Sequence, residues 1–177
     1  MSMSRRSLLA VAGKLCFTLG LAKANSATAQ PASKTLVARA AQAHEALMRG
    51  DIEHYRSLMT LGSDFTLMAP FGGAPSRGGR YTEEQWAAIG HFFRDGRDST
   101  FELVHAYDSA DLTVLAAIER SYVAVGNLPA QLWALRVTLV FRKEAAGWVL
   151  VHRHADPLAG GVSVAESAHL ASRASAR

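Results

Sequence analysis

Four strand-like runs, 100–107, 112–125, 131–143 and 148–155, close this chain, and the turns between them are short. Those turns, Asp108-Ser109-Ala110-Asp111, Gly126-Asn127-Leu128-Pro129 and the stretch 144–147, leave no room for a crossover, so the runs must pair as antiparallel neighbours. A sheet of that kind buries one face against something else. The cover has to come from the segment before it, which reads as three helices.

The first helix runs over 34–49, where Leu36, Ala40, Ala43 and Leu47 recur at three- and four-residue spacing and Val37 and Met48 widen the stripe. Gly50 ends it. Asp51 caps a second, short helix through Met59 with Ile52, Tyr55, Leu58 and Met59 on its buried side. A strand follows at 63–69, stopped by Pro70, and then a glycine-rich loop to Gly79. Thr82 with Gln85 is a capping-box signature for a third helix, ending by Gly96, whose apolar face is Trp86, Ile89, Phe92 and Phe93. Helices gathered on one face of a sheet define an α+β domain over 30–158. Residues 159–177 form a tail in which Ser163 and Glu166 cap a short, weak helix.

Charge excludes one class of partner. The chain is 177 residues long with a net charge of +4. Four of its nineteen basic residues (Arg5, Arg6, Lys14, Lys23) lie before Gln30, where no acid occurs, so the remainder carries fifteen of each sign. A formally neutral body does not neutralise phosphates, and nucleic acid is not the expected partner. Residues 1–29 read as an export signal: a positive start, an apolar run from Leu8 to Ala22, and Ala27-Thr28-Ala29 as cleavage site. The run is about 15 residues and broken by Lys14, short of the ~20 that span a bilayer, so no membrane anchor is expected after cleavage. Arg5-Arg6 resembles a bacterial twin-arginine signal, implying a periplasmic or secreted protein. The single cysteine, Cys16, falls inside the signal. The mature chain is therefore expected to have no disulfide and no thiolate site.

The last run carries the candidate chemistry. With a period of two, Trp148, Leu150, His152 and His154 share one side, and Val149, Val151 and Arg153 the other. His152, His154 and the nearby Asp156 are the candidate catalytic acid/base set. The same histidines would otherwise bond backbone or a dimer partner, and metal binding would need a third ligand such as Asp156, His105 or Glu119. No metal and no cofactor is expected. Glu119 and Arg120 must point to opposite faces. Arg120 sits in an otherwise apolar set with Val114, Ala116, Ile118 and Tyr122, either as the anchor for an anionic group in a cavity or in a surface ion pair. His105 and Tyr107 are candidates for the cavity mouth or an interface. Met68, Phe71, Trp86 and Trp133, with Phe92, are candidates to line an apolar cavity. His44 and His54 read as exposed on their helices.

The order of helix, Gly-Asp, short helix, strand, Pro-x-Gly-x-x-Pro loop, helix and a bent antiparallel sheet ending in Trp-x-x-x-His-x-His resembles the nuclear transport factor two-like superfamily, nearest to SnoaL-like proteins. The resemblance implies a cone-shaped, cystatin-like fold and a homodimer through the open sheet face. In ketosteroid isomerases the base is an aspartate just before the loop matched here by Pro70-Phe71-Gly72-Gly73-Ala74-Pro75-Ser76-Arg77-Gly78, and that position is Ala69. The family's oxyanion tyrosine aligns with Ala43. The association domain of calcium/calmodulin-dependent kinase has pocket arginines near Arg120 and at the position of Ala155. These substitutions favour a binder of a small apolar or carboxylate-bearing molecule, with Arg120 and a histidine as anchors. The alternatives are an isomerase, cyclase or dehydratase using histidine and aspartate, and a structural dimer.

Overall fold

The computed structural model describes residues 32–172. The expected signal at 1–29, and the mature start at Gln30, lie outside the described residues. Helix α1 (Ala32–Met48) is followed by α2 (Ile52–Leu58), β1 (Leu61–Met68), β2 (Ser76–Arg77), α3 (Glu83–Phe92), β3 (Phe93–Asp108), β4 (Leu112–Val125), β5 (Gln131–Glu144), β6 (Gly147–Pro157) and α4 (Val164–Ser172). The fold is α+β. Its six-stranded open sheet has the order β2-β1-β6-β5-β4-β3. The sheet is mixed rather than purely antiparallel, because β1 runs parallel to β6. That contact follows from topology: a helix and three long strands separate the two in sequence, so no hairpin constrains their direction.

Local chemistry sets the helix ends. α1 stops in a Schellman motif, with Asp51 N–H donating to the Ala46 carbonyl at 2.9 Å and Gly50 N–H to the Leu47 carbonyl at 3.0 Å. Gly50 holds φ +77°, which this motif requires, and a Cβ there would stand 2.6 Å from the Gly90 carbonyl oxygen. Asp51 then accepts from His54 N–H at 3.1 Å and caps α2. The capping box of α3 is complete: Gln85 N–H donates to Thr82 Oγ1 at 3.3 Å and Thr82 N–H to Gln85 Oε1 at 2.8 Å. In α4, Ser163 N–H donates to Glu166 Oε2 at 2.7 Å and Glu166 N–H to Ser163 Oγ at 3.2 Å, the reciprocal pair expected from the sequence.

The third helix ends sooner than its sequence suggested. Residues 93–99 belong to β3, not to α3 or a loop, and carry two irregularities on either side of Arg97. Asp95 and Asp98 sit at φ +59° and +56°, the left-handed conformation aspartate tolerates better than most residues. Extra residues there bend the strand around the end of α1. The polar run Arg94-Asp95-Gly96-Arg97-Asp98 hides a strand because its alternation is broken twice.

Core packing is continuous along the inner sheet face, where Leu115, Leu139, Phe141 and Leu150 meet Leu36, Ala40 and Ala43 of α1. His44 departs from expectation. It is only 4% exposed, because residues 36, 40, 44 and 48 form an i, i+4 row and all four are buried.

Candidate functional site

An irregularity in β6 decides what faces inward. Phe141 pairs with Leu150, but Val140 pairs with His152, which leaves Val151 as an extra residue. Beyond a bulge the parity of side chains inverts. Leu150, Arg153 and Ala155 therefore face the helices beside Phe141, Leu139 and Val137, whereas His152, His154 and Asp156 face the opposite side beside Val140, Thr138 and Arg136. A strict period of two had placed Leu150 with the histidines. The bulge replaces them at the inner face with an arginine.

Arg153 reaches a cavity of about 450 Å³ between α2, α3, the start of β3 and the inner face of β1, β5 and β6. The remaining lining is aliphatic and aromatic, with two phenols, Tyr55 and Tyr81. Tyr81 precedes the N-cap of α3 and Trp86 is the fourth residue of that helix, so the pair forms a hydrophobic staple with ring centroids 4.8 Å apart. Tyr55 on α2 meets Trp86 at 6.1 Å. At the mouth, Phe71 stacks edge-on against Phe92 at 5.5 Å and tilts against Trp133 at 5.9 Å.

The guanidinium is held from behind. Its two terminal nitrogens donate to the two Glu119 carboxylate oxygens at 2.8 and 2.6 Å, a bidentate pair whose carboxylate is 3% exposed. Behind Glu119, His44 Nδ1 lies 3.4 Å from Oε2, while the His44 Nε2–H donates to the Arg120 backbone carbonyl at 3.0 Å. Burial pushes Glu119 toward the neutral acid, but the charge and paired hydrogen bonds of Arg153, with His44 adding to them, hold the carboxyl well below the usual range. For Arg153, burial pulls the other way and the Glu119 carboxylate outweighs it, so the guanidinium stays charged. Burial raises the Tyr55 phenol, opposed by Arg153 and reinforced by Glu119 and Tyr81; burial also raises Tyr81. Both tyrosines are therefore neutral hydroxyls, and neither hydroxyl finds a hydrogen-bond partner among the described residues.

The sequence candidates divide between the two sheet faces. Phe71 and Trp86 line the cavity and Trp133 backs Phe71. Met68 does not line it: Leu67 pairs beside Arg153 and faces inward, so Met68, beside His154, faces outward and is 41% exposed. Arg120 lies on the outer face, donating to Glu102 at 2.7 Å, so it takes the surface ion pair and not the cavity. His105 and Tyr107 stack at 4.5 Å on that same outer face, opposite Ala116 and Val114. His154 Nε2 approaches Asp156 Oδ2 at 3.4 Å beside Arg136, in a shallow surface groove remote from the cavity. His152 and His154 have ring centroids 6.4 Å apart. Ala69 lines the cavity as a methyl group, and Ala43 is fully buried on the side of α1 that packs against the sheet.

The arrangement of helices on one face of an open sheet is shared with several solved structures. An NTF2-like protein from Cytophaga hutchinsonii is 11% identical, covering 73% of this chain and 100% of that one at TM-score 0.58. A ketosteroid isomerase-like protein from Erwinia carotovora atroseptica is 19% identical, covering 72% and 96% at 0.55. A protein with a cystatin-like fold from Nostoc punctiforme is 18% identical, covering 71% and 90% at 0.53. At these identities the likeness is one of fold. The chain belongs to the SnoaL-like domain family, whose model matches residues 37–159. No match is found among curated proteins. Among the described residues no helix is long and apolar enough to cross a membrane.

Proposed function

We propose that this is an exported protein that binds a small, largely apolar molecule in the cavity between helices and sheet, with Arg153 and the two tyrosines reading its polar end. The observation that carries this reading is the cavity itself, a space of about 450 Å³ whose aromatic and aliphatic walls include one part-buried arginine. Its lining holds no carboxylate and no histidine, and the position matching an isomerase base is Ala69. A proton-transfer enzyme needs a base within reach of its substrate, so binding is favoured over catalysis. Arg153 takes the anchoring role that the sequence pattern had given Arg120.

Ala69→Trp places an indole in the cavity lining. It is expected to abolish the fluorescence enhancement of the uncharged apolar probe N-phenyl-1-naphthylamine while leaving the thermal unfolding transition in place. Undiminished probe binding by the variant would overturn the cavity reading.

Export and pairing complete the proposal. Apolar side chains on the outer face and its rims, among them Val104, Tyr107 and Leu132 at 63%, 61% and 68% exposed, support a homodimer through the open sheet. Native mass spectrometry of protein from the periplasmic fraction of a bacterial host is expected to find pairs of chains beginning at Gln30. Single chains beginning at Met1 would refute both parts.

A further inference from the structure

We infer that His44 is a positioning residue for Arg153: its ring carries a proton on both nitrogens, and that charge, passed through Glu119, holds the guanidinium where it meets the cavity. This rests on the cavity reading above only for the role of Arg153. The hydrogen count follows from geometry. His44 Nε2 lies 3.0 Å from the Arg120 backbone carbonyl, which can only accept, so Nε2 must carry a hydrogen. Nδ1 lies 3.4 Å from Glu119 Oε2, an oxygen that already accepts from Arg153 at 2.6 Å. A neutral ring has one N–H. If Nε2 holds it, a bare Nδ1 lone pair faces a carboxylate; if Nδ1 holds it, a bare Nε2 faces a carbonyl. Either tautomer sets two acceptors against each other in a buried place, and only the imidazolium satisfies both contacts.

Nothing else nearby answers Nδ1. It is buried, and without Glu119 it has no hydrogen-bond partner among the described residues. Ser121, next on the inner face of β4, spends its hydroxyl hydrogen on the Arg97 carbonyl at 3.2 Å and meets Ser99 Oγ at 2.8 Å. In register with Glu119, β3 places Phe101 and β5 places Leu135, so neither strand brings a charge to the carboxylate there. On α1 the residues one turn away, Ala40 and Met48, are apolar, and Glu45 is occupied by Arg49 at the surface. The charged and titratable groups that meet here are thus Glu119 from β4, Arg153 from β6 and Tyr55 from α2, whose phenol stays neutral. Glu119 then stands between two cations. When His44 loses its second proton, a lone pair replaces the N–H behind Oε2 and attraction gives way to repulsion. The carboxylate is pushed toward Arg153, and the guanidinium moves with it because both of its terminal nitrogens are bound to that carboxylate.

The test is nitrogen-15 NMR of the purified protein labelled in its histidine and arginine side chains. At pH 7 the His44 ring is expected to show hydrogens on both nitrogens; a bare Nδ1 would overturn the inference. As pH is then raised, the Arg153 guanidinium signals should shift in step with the loss of the His44 proton. In His44→Gln, whose side-chain amide can donate to Glu119 but has no proton to lose over this range, they should stay constant. Arg153 signals that ignore the His44 proton, or that shift equally in the variant, would overturn the positioning role. A variant that failed to fold would leave the wild-type spectra, which decide the charge and the coupling by themselves. Neither result depends on probe binding: protein that takes up N-phenyl-1-naphthylamine with a neutral His44 keeps the cavity reading and loses this one, and an imidazolium in protein that takes up no probe does the reverse.

Discussion

Glu119→Ala should lower the unfolding free energy by about 3–5 kcal/mol, because it leaves the Arg153 charge buried without its carboxylate. For a domain of this size that corresponds to a fall in melting temperature of roughly 10 °C or more. The cost does not measure what the pair contributes to stability. Two charges were desolvated to form it, and a buried pair can often be replaced by apolar groups of similar volume at little cost. The double variant Glu119→Leu/Arg153→Met should therefore recover most of the loss, although each change removes a residue of the same string. His44 keeps its bond to the Arg120 carbonyl in both proteins. Thermal denaturation of wild type, Glu119→Ala and the double variant is the measurement. If the double variant were as unstable as the single one, the pair would be a structural necessity rather than a polar site retained for what it binds.

The same pair gives the domain an acid-sensitive stability. Glu119 ionises far more readily in the folded state than in the unfolded chain, where a glutamate titrates near ~4.3. The folded state thus gains stability that is complete above that value and is lost as pH falls below it, since the unfolded chain then takes up the proton first. Urea midpoints measured between pH 6 and pH 3 should fall steadily over the lower half of that range. In Glu119→Leu/Arg153→Met the part of the slope due to this group should vanish.

How legible the site was depends on where the chain keeps its local period. The caps of α2, α3 and α4 were readable because each is a contact between residues three apart. The stripe of α1 was readable too, but its i, i+4 row also carried His44 inward, and a histidine in an apolar row looks the same in sequence whether exposed or buried. The opposite facing of Glu119 and Arg120 needed only strand alternation. Their assignment to faces did not follow from it: the set Leu115, Ala117, Glu119 and Ser121 is less apolar than the set that contains Arg120, yet it is the buried one, so apolar content along the strand pointed to the wrong face as core. In β6 the failure was sharper. One extra residue at Val151 exchanges Arg153 for the histidines, and a bulge has no sequence signature among valines and leucines. The parallel contact of β1 with β6 was equally hidden, being a pairing between segments some ninety residues apart. Tyr81, by contrast, was within reach, since an aromatic residue before a capping box and a tryptophan at the fourth helical position mark a hydrophobic staple.

The bend that frames the cavity can be tested at Gly96, between the two left-handed aspartates of β3. A Cβ at this position would lie 2.4 Å from the Met48 carbonyl oxygen and 2.5 Å from its carbon. Those are backbone atoms at the end of α1, so no rotamer change relieves the overlap and the helix or the strand must shift. Gly96→Val should cost stability at the upper end of the 1–3 kcal/mol typical of overpacking, or somewhat more. The damage should also reach the site. Met48 on α1 and Phe93 on β3 both line the cavity, on either side of the contact that Gly96 permits. Separating them should weaken N-phenyl-1-naphthylamine binding several-fold in protein that is still folded at low temperature. Gly160→Ala serves as the control, because a Cβ there meets nothing within 4 Å and its change should stay within about 0.5 kcal/mol. Probe affinity that survives Gly96→Val while stability falls would mean that α2, α3 and β1 shape the cavity without help from the α1–β3 contact. Loss of both together would tie the bend in β3, set by two aspartates and a glycine far from Arg153, to the geometry of the binding site.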